Sequence, residues 1–221
     1  MLNYSVSEEN YIKAIYHLQQ MEQKVTTNQL AAAINASPAS TTDMMKKLKN
    51  KKLLNYKPYH GFRLSVGGSR VALSIIRRHR LWEYFLAEKL KFTWDEVHAI
   101  AEDLEHVSNA KLINRLDEFL GFPGVDPHGD PIPDEKGNIA THAKKCLTDW
   151  PLQTTAKVIS VSDHSGKMLE LLEHKKIKIG TKLSVRKKFA FDGSMEIKLP
   201  RQPLLTISEQ LAKNIFVNHD A

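Results

Sequence analysis

The sequence contains a single cysteine, Cys146, among its 221 residues. One thiol excludes an intramolecular disulfide framework and a thiolate-rich zinc site, so a bound metal must be held by nitrogen and oxygen donors. The sequence also lacks any apolar run near the roughly 18 residues that a membrane span requires, and it shows no secretion signal. We therefore expect a cytoplasmic protein that makes no membrane contact.

The motifs of metal-dependent hydrolases and oxidases are missing as well. The sequence has no HExxH segment and no paired ExxH segments, and residues 102–106 show only the order ExxEH. Zinc hydrolases use the first motif, and di-iron proteins use the second. A metalloenzyme is therefore the disfavoured alternative. We predict a protein that is not an enzyme and takes no small organic substrate.

Charge is abundant but unevenly distributed. The net charge of +7 arises from +9 over residues 1–80, −9 over residues 81–135 and +7 over residues 136–221. A basic segment favours a polyanion such as nucleic acid, whereas an acidic segment concentrates cations. The charge pattern predicts DNA binding in the first third of the chain and cation binding in its middle.

The first third predicts three helices in a helix-turn-helix order. Ser7 begins an amphipathic helix and Thr27 begins a short second helix, because hydroxyl side chains cap helix N-termini. Ser37 and Pro38 begin the third helix, since proline suits the first helical position. Small polar residues fill the first turn of this helix, and five lysines follow between residues 46 and 52.

A wing follows the third helix. Residues 53–66 predict two short strands around a turn at Gly61. Helices, turn chemistry, wing and charge agree on a winged helix that binds DNA. A plain three-helix bundle with a solvated lysine face is the alternative.

The rest of the chain predicts two further regions. Residues 68–121 are helical and strongly apolar on one side, which favours a dimer interface. A loop rich in Pro, Gly and Asp follows at 122–138. From residue 152, short alternating strands around one inserted helix predict a small β-barrel. The expected fold class is mainly α with a small β domain.

The acidic middle carries the strongest indication of function. Residues three and four apart share one face of a helix, and residues 98–107 predict a helix with four potential metal ligands on one face. Carboxylates crowded without a cation repel one another, so we predict a divalent ion rather than a salt-bridged surface. The candidate donors are His79, Glu83, His98, Glu102, Glu105, His106 and His128.

Five segments together resemble the iron- and manganese-dependent transcriptional repressors, typified by the diphtheria toxin repressor and the manganese transport regulators. They are SEENYIKAIYHL, SPASTTDMMKKLKNKKLL, RRHRLWEYFL, VHAIAEDLEHV and DPHGDPIP, and they cover most of residues 7–133. The last 70 residues resemble, more weakly, the SH3-like domain of larger members. The resemblance implies a homodimer that binds double-stranded operator DNA when metal-loaded and represses metal uptake genes.

The resemblance also implies a domain order and two metal sites. The domains are a winged helix-turn-helix over 1–73, a helical dimerisation and metal-binding domain over 74–140, and an SH3-like (FeoA-like) domain over 151–221. The ligands of the first site are Glu102, Glu105 and His106, with Asn10 from the first helix. The ligands of the second site are His79, Glu83 and His98, completed by Asp126 and His128 or by Asp163 or His164.

Two positions bear on which metal binds. Glu102 stands where iron-responsive relatives carry cysteine, and Asn10 offers a neutral amide oxygen where relatives commonly carry Met or Asp. Mn(II) and Fe(II) both accept carboxylate and imidazole, whereas a thiolate favours softer or later metals. We predict Mn(II) as the effector, with Fe(II) as the alternative within the family. The alternative outside it is a winged-helix regulator whose His and Glu clusters are structural and whose effector is not a metal.

The winged helix supplies the predicted DNA contacts. We expect the first turn of the third helix to reach base edges and basic side chains to reach phosphates. The base-edge residues are Ser37, Pro38, Ser40 and Thr42, and the phosphate-binding residues are Lys46, Lys47 and Arg63. The other predicted DNA contacts on these elements are Thr27, Ala39, Asp43 and Tyr59.

Overall fold

The structure, a computed structural model, describes residues 4–21, 25–56, 61–107, 109–140 and 143–219. The chain forms two compact units. The first comprises residues 1–79, 102–119 and 133–139, and the second comprises residues 80–101, 120–132 and 140–221. Three helices, α4 (Val66–Glu88), α5 (Val97–Leu104) and α6 (Ala110–Leu120), contribute residues to both units.

The first unit begins with a winged helix-turn-helix, as predicted. Its elements are α1 (Val6–Met21), α2 (Thr27–Ala33), α3 (Pro38–Asn50), β1 (Leu54–Tyr56) and β2 (Phe62–Leu64). The two strands are antiparallel. The helices, the strands and the start of α4 enclose one hydrophobic core, whose fully buried members include Ile12, Ile15, Leu30, Leu48 and Ile75.

The start of α3 follows the sequence prediction. Ser37 is the N-cap, and its hydroxyl oxygen accepts a hydrogen bond from the backbone N–H of Ser40 at 3.2 Å. Pro38 is the first helical residue. Asn35 has a φ of 52°, a left-handed conformation that asparagine tolerates, and it reverses the chain between α2 and α3.

The caps of the other two helices lie earlier than predicted. Ser5, not Ser7, caps α1, because the Ser5 N–H donates to the Glu8 carboxylate at 2.9 Å and the Ser5 hydroxyl accepts from the Glu8 N–H at 3.3 Å. Thr26, not Thr27, caps α2 through the same reciprocal bonds with the glutamine three residues later. In both helices, the Glu or Gln side chain three residues after the cap bonds back to the backbone of the cap, and this pairing determines which residue begins the helix.

Glu8 also connects α1 to α3 through ion pairs with lysines. Its Oε1 lies 2.6 Å from Lys51 Nζ and 3.3 Å from Lys47 Nζ, and its side chain is buried. Burial raises the pKa of Glu8, but the two lysines and the Ser5 N–H outweigh it and lower this pKa to about 2. Lys47 of α3 and Lys51, which caps the C-terminus of α3, therefore have a carboxylate partner within the protein.

The tip of the wing lies outside the described residues. Tyr59, one of the predicted DNA contacts, belongs to this segment, because the structure describes the wing only up to Tyr56 and again from Gly61. Arg63 is exposed on β2. The described strands thus confirm the wing but not the placement of its tip.

The predicted helix over residues 98–107 is shorter in the structure. α5 ends at Leu104, so Glu105 and His106 lie in the turn that follows. Two contacts end the helix there: the Val107 N–H donates to the Leu104 carbonyl at 3.0 Å, and Arg78 Nε donates to the Glu105 carbonyl at 2.5 Å. The next helix is α6 (Ala110–Leu120). None of the described helices combines the length and hydrophobicity needed to cross a bilayer.

The second unit contains a six-stranded antiparallel sheet in the order β3-β8-β4-β5-β6-β7. The strands are β3 (Lys145–Cys146), β4 (Thr155–Val161), β5 (Lys182–Lys188), β6 (Met195–Lys198), β7 (Leu204–Ile207) and β8 (Ile215–Asn218). A 3-10 turn (Leu147–Asp149) and the helices α7 (Gly166–His174) and α8 (Glu209–Lys213) accompany them. Trp150, Leu169 and Leu172 are buried in its core. The predicted SH3-like domain is confirmed.

We predict that Glu8→Gln makes the stability of the protein less dependent on pH. The pKa of Glu8 in the folded protein lies below its ordinary value of 4.5, so its contribution is present above that value and is lost as the pH falls toward about 2. The free energy of unfolding at neutral pH should fall by about 1–2 kcal/mol, since the lysine partners are partly exposed. Urea denaturation at about pH 7 and about pH 3 measures both effects.

Glu118→Gln is the matched control. Glu118 is exposed and pairs with Arg115 one helical turn away, at 2.7 Å. Such surface pairs contribute at most about 0.5 kcal/mol. If the two variants kept the same pH dependence as the wild-type protein, the role assigned to Glu8 would be wrong.

Candidate functional site

Three potential ligands in the first unit converge near the end of α5. His79, Glu102 and Glu105 each place a donor atom within 4.8 Å of the other two. His79 Nδ1 lies 2.8 Å from Glu105 Oε2, and Glu105 is fully buried. With His106, these residues form what we call the first cluster. The sequence predicts His79 as a ligand of the second site. In the structure, its Nδ1 lies beside Glu105 of the predicted first site.

His106 is oriented by a buried ion pair. Its Nδ1 lies 2.7 Å from Glu9 Oε2, and Glu9 Oε1 accepts a hydrogen bond from Arg78 Nη2 at 2.8 Å. A carboxylate at Nδ1 holds the ring proton on that nitrogen and leaves a lone pair on Nε2. His106 Nε2 lies 3.8 Å from Glu105 Oε1. The Nε2 lone pair of His106 is therefore available on the side of Glu105, as it is in histidines that bind a metal ion.

The ammonium group of Lys13 lies against the carboxylates of the first cluster. Its Nζ is 2.7 Å from Glu102 Oε1, and 2.7 and 2.8 Å from the two oxygens of Glu105. Burial raises the pKa of Glu105, but the His79 hydrogen bond and the charge of Lys13 outweigh it and hold this pKa below its usual value. The cluster thus already accommodates a cation.

Asn10, the predicted ligand from α1, lies one helical turn before Lys13. Its Oδ1 is buried and accepts no hydrogen bond from the described residues. With Lys13 and Glu102 it lines an open groove of about 870 Å³. A buried carbonyl oxygen without a donor is unfavourable unless a cation or water satisfies it. Together with the imidazoles and carboxylates, it gives a donor set that fits a divalent ion.

A second cluster of potential ligands lies in the second unit around the buried side chain of Glu83. His98 Nδ1 and His128 Nδ1 lie 3.0 and 3.8 Å from Glu83 Oε1. His128 Nε2 lies 2.8 Å from the Trp94 carbonyl, so it donates there and neutral His128 keeps its lone pair on Nδ1. That buried Nδ1 has no hydrogen-bond partner among the described residues. Donor atoms of Glu83, Asp126 and His128 lie within 4.8 Å of one another.

The charges of the second cluster favour a cation. Burial, together with Glu83 and Asp130, raises the pKa of Asp126 to about 7. Burial lowers the pKa of His128, but Glu83 and Asp126 outweigh it and raise it. Arg80 Nε, 3.5 Å from Asp126 Oδ2, offsets only part of this negative charge. A divalent ion would supply the charge that the cluster lacks.

The loop that carries Asp126 and His128 is held by its backbone. Asp126 Oδ1 accepts two N–H groups of its own loop, at 2.8 and 2.9 Å. Gly129 has a φ of 84°, and a Cβ atom there would lie 1.8 Å from the carbonyl oxygen of Ile159 on β4. Only glycine permits this approach, so it sets the position of His128.

Asp163 or His164 of the small β domain is the predicted alternative to Asp126 and His128 for completing the second site. The ring of His164 stacks on that of His128 with centroids 4.4 Å apart, and His164 Nε2 lies 3.1 Å from the Val161 carbonyl, to which it donates. The carboxylate of Asp163 accepts the Ser165 N–H at 2.8 Å. Among the described residues, Asp163 is not part of any group of three side chains placed closely enough to hold a metal ion.

The first turn of α3 is the candidate nucleic-acid surface. Pro38, Ala39 and Ser40 are exposed at its start. One turn later, Asp43 and Lys46 are exposed, and their side chains pair at 3.0 Å. Small side chains followed by a basic one suit a helix that enters the major groove.

Other predicted DNA contacts have partners inside the protein. The Thr42 hydroxyl donates to the Pro38 carbonyl at 2.8 Å, and the Thr27 hydroxyl donates to Met45 Sδ at 3.7 Å. Lys47 pairs with Glu8, as described above. The side chain of Lys46 is more exposed than that of Lys47, at 65% against 54%.

Glu9, Lys13 and Arg78 were not predicted from the sequence as parts of the site. Lys13 follows Asn10 by three residues on α1, so helical spacing from one candidate ligand would have found it. Glu9 and Arg78 form a pair 69 residues apart in the chain. No local pattern reveals such a pair.

Three family models match successive parts of the chain. They are the iron dependent repressor N-terminal DNA binding domain over residues 4–62, the iron dependent repressor metal binding and dimerisation domain over residues 66–134, and the FeoA domain over residues 145–219. These matches follow the same order as the structural elements.

Two curated proteins illustrate the similarity. The iron-dependent repressor IdeR of Mycobacterium leprae is 29% identical over 125 residues, which are 57% of this chain and 54% of that protein. The HTH-type transcriptional regulator MntR of Oceanobacillus iheyensis is 29% identical over 116 residues, which are 52% of this chain and 78% of that protein. The chain thus spans about half the length of the iron-dependent repressors that it matches.

Similarity over the full chain comes from a solved structure. A manganese-dependent transcriptional repressor in complex with manganese superimposes with a TM-score of 0.86 and 33% identity, over 95% of this chain and 98% of that chain. The chain therefore belongs to the family of iron- and manganese-dependent repressors that includes the diphtheria toxin repressor.

Proposed function

We propose that the chain is a metal-dependent transcriptional repressor that binds operator DNA as a homodimer, responds to Mn(II) and controls metal uptake genes. The observation that carries this proposal is the contact between the first cluster and α1 of the winged helix, where Glu9 reaches His106 and Lys13 reaches the two carboxylates. An ion held by Asn10, Glu102, Glu105 and His106 would connect these two parts of the first unit. The names of the iron- and manganese-dependent relatives support the proposal.

Contacts between α1 and α3 would carry the effect of the ion to the DNA surface. The Tyr11 hydroxyl of α1 lies 3.5 Å from the Thr41 hydroxyl of α3, and Glu8 of α1 pairs with Lys47 of α3 at 3.3 Å. An ion that restrains α1 therefore restrains α3. Ordering α3 before DNA arrives removes an entropy cost from binding, so metal and DNA must increase each other's affinity by the same factor.

Exposed apolar side chains on α6 support the homodimer. Leu112 and Phe119 are 43% and 64% exposed. Residues seven apart share one face of a helix, and apolar side chains exposed on one face favour burial against a second copy. A two-fold dimer would place two α3 helices in successive major grooves, roughly 34 Å apart.

The donor atoms favour Mn(II), with Fe(II) as the alternative. Both clusters offer only nitrogen and oxygen, and the single thiol of the chain, Cys146, lies on β3 of the small β domain. Mn(II) binds most weakly in the series of divalent metals, so coordination geometry and metal availability must supply the selectivity.

We also propose a second ion at the second cluster. Its ligands are Glu83 and His98, with Asp126 and His128 from the glycine-containing loop. The resemblance implies His79 as a further ligand of this site. Asp163 and His164 are the candidates for the remaining ligand.

The decisive experiment measures DNA binding against free metal concentration. A fluorescent duplex selected from a random pool by the Mn(II)-loaded protein is titrated by anisotropy with Mn(II), with Fe(II) without oxygen, and with a chelator. We expect chelation to abolish binding reversibly and Mn(II) to restore it. Binding that survives chelation would support the regulator with structural clusters, and a response to Fe(II) at far lower concentration would replace Mn(II) with Fe(II).

Replacing one ligand of the first cluster should weaken this response. We expect Glu102→Gln to raise the Mn(II) concentration needed for half-maximal DNA binding by about tenfold or more, because a neutral amide binds a divalent ion less strongly than a carboxylate. Asp103→Asn removes the same charge from the next, exposed position of α5. Equal effects of the two variants would show that net charge, rather than ligation, matters.

The phosphate contact assigned to Lys46 predicts a change in salt dependence. We expect Lys46→Ala to weaken binding to all duplexes alike and to reduce the slope of log K against log salt concentration by about 1. Lys89→Ala, which lies outside the winged helix, should leave the slope unchanged. An unchanged slope for Lys46→Ala would argue against the contact.

The loop of the second cluster predicts a selective loss of one ion. Gly129→Ala places a Cβ against the Ile159 carbonyl and must shift His128, so we expect one bound Mn(II) fewer in equilibrium dialysis. Gly124→Ala, in the same loop, is the control, since its Cβ would meet no atom within 4 Å. Should Gly129→Ala retain full Mn(II) stoichiometry and affinity, the loop does not supply ligands.

A further inference from the structure

The first cluster contains a positive charge that belongs to the protein itself. Lys13 Nζ makes contacts of 2.7–2.8 Å with three carboxylate oxygens, one from Glu102 and two from Glu105. Its side chain is only 13% exposed, and that of Glu105 is fully buried. These oxygens are the ones that a divalent ion needs, and two cations cannot share them because their repulsion at such distances is strong.

We infer that Lys13 is a tethered cation that neutralises the first cluster in the metal-free protein, and that a divalent ion binds there only by displacing it. This inference rests on the proposed metal site of the first cluster. It adds a step that the ligand set alone does not contain: the carboxylates exchange an internal ammonium for an external ion.

The structure provides a place for the displaced ammonium. Lys13 lines the open groove of about 870 Å³, together with Asn10 and His17 of α1 and Ala33 of α2. The lysine side chain has four flexible carbons. Rotation about these bonds moves Nζ from the carboxylates into the groove without movement of α1.

Displacement sets the metal concentration at which the cluster fills. A group tethered within the same protein competes at an effective concentration in the millimolar range or above. A monovalent ion offers no more charge than the ammonium that it would replace. A divalent ion doubles the charge and gains Asn10 Oδ1 and His106 Nε2, donors for which an ammonium has less use. Lys13 therefore raises the threshold for divalent ions and excludes weaker competitors.

The first test compares Mn(II) affinity in matched variants of the full chain. His98→Ala serves as the background, because it removes a donor from the second cluster. In this background we expect Lys13→Met to lower the Mn(II) dissociation constant by about tenfold or more, measured by the electron paramagnetic resonance of free Mn(II). Lys13→Arg keeps the tethered charge and should stay near wild type. Lys111→Met removes a charge from an exposed position of α6 and should have no effect.

Three results of this titration would overturn the inference. They are an unchanged Mn(II) affinity in Lys13→Met, a weaker affinity, and an additional bound Mn(II), since an extra ion would mean that Lys13 occupies a place of its own beside the metal. Absence of Mn(II) binding to the wild-type chain would instead remove the proposed function, and the inference with it.

The second test needs no variant and applies even if Lys13→Met fails to fold. The wild-type protein is acetylated briefly with an N-hydroxysuccinimide ester, with and without Mn(II), and modification of Lys13 is measured by mass spectrometry relative to Lys111. We expect Mn(II) to increase the modification of Lys13 several-fold, because the amine leaves the carboxylates for the groove. Constant or decreased modification in samples that contain bound Mn(II) would contradict displacement.

Discussion

The geometry of the first cluster depends on one buried ion pair, between Arg78 and Glu9. The guanidinium donates to Glu9 and also to the backbone carbonyl of Glu105, which ends α5, while the other oxygen of Glu9 orients His106. Both charged side chains are more than nine-tenths buried. A buried charge that loses its partner costs about 3–5 kcal/mol, so the pair does not open easily. The pair therefore fixes both the turn after α5 and the orientation of the His106 imidazole without a bound ion.

The two clusters differ in how their negative charge is compensated. In the first, Lys13 and His79 lie against Glu105 and hold its pKa below the usual value. In the second, burial and neighbouring carboxylates raise the pKa of Asp126 to about 7, even with Arg80 nearby. The carboxylates of the first cluster are thus compensated by cationic side chains of the protein, whereas those of the second cluster are only partly compensated. Because their charge compensation differs, the two clusters would not have the same affinity for one ion even if their donor atoms were the same.

Local chemistry explains what the sequence predicted well. Ser37 and Pro38 predict the start of α3 correctly, because a helix cap involves residues that are close together in the chain. The short strands on either side of Gly61 predict the wing for the same reason. Contacts between distant segments explain what it missed. The end of α5 depends on Arg78, 27 residues earlier in the chain. Lys13 joins Glu105 across 92 residues. Helical periodicity predicts which face a side chain shares, but not which distant side chain that face meets.

The partnership of Glu8 with Lys47 and Lys51 has a consequence for how the protein distributes itself along DNA. The attraction of proteins to DNA of any sequence grows with the number of phosphates that their lysines neutralise. A carboxylate that already pairs with Lys47 of α3 and with Lys51 at its C-cap takes the place of a phosphate within the protein. Under the proposed function, α3 would therefore gain less affinity from DNA of arbitrary sequence than its lysine count implies. A larger share of the affinity would come from base edges, which would favour residence at the few correct sites in a chromosome over binding elsewhere.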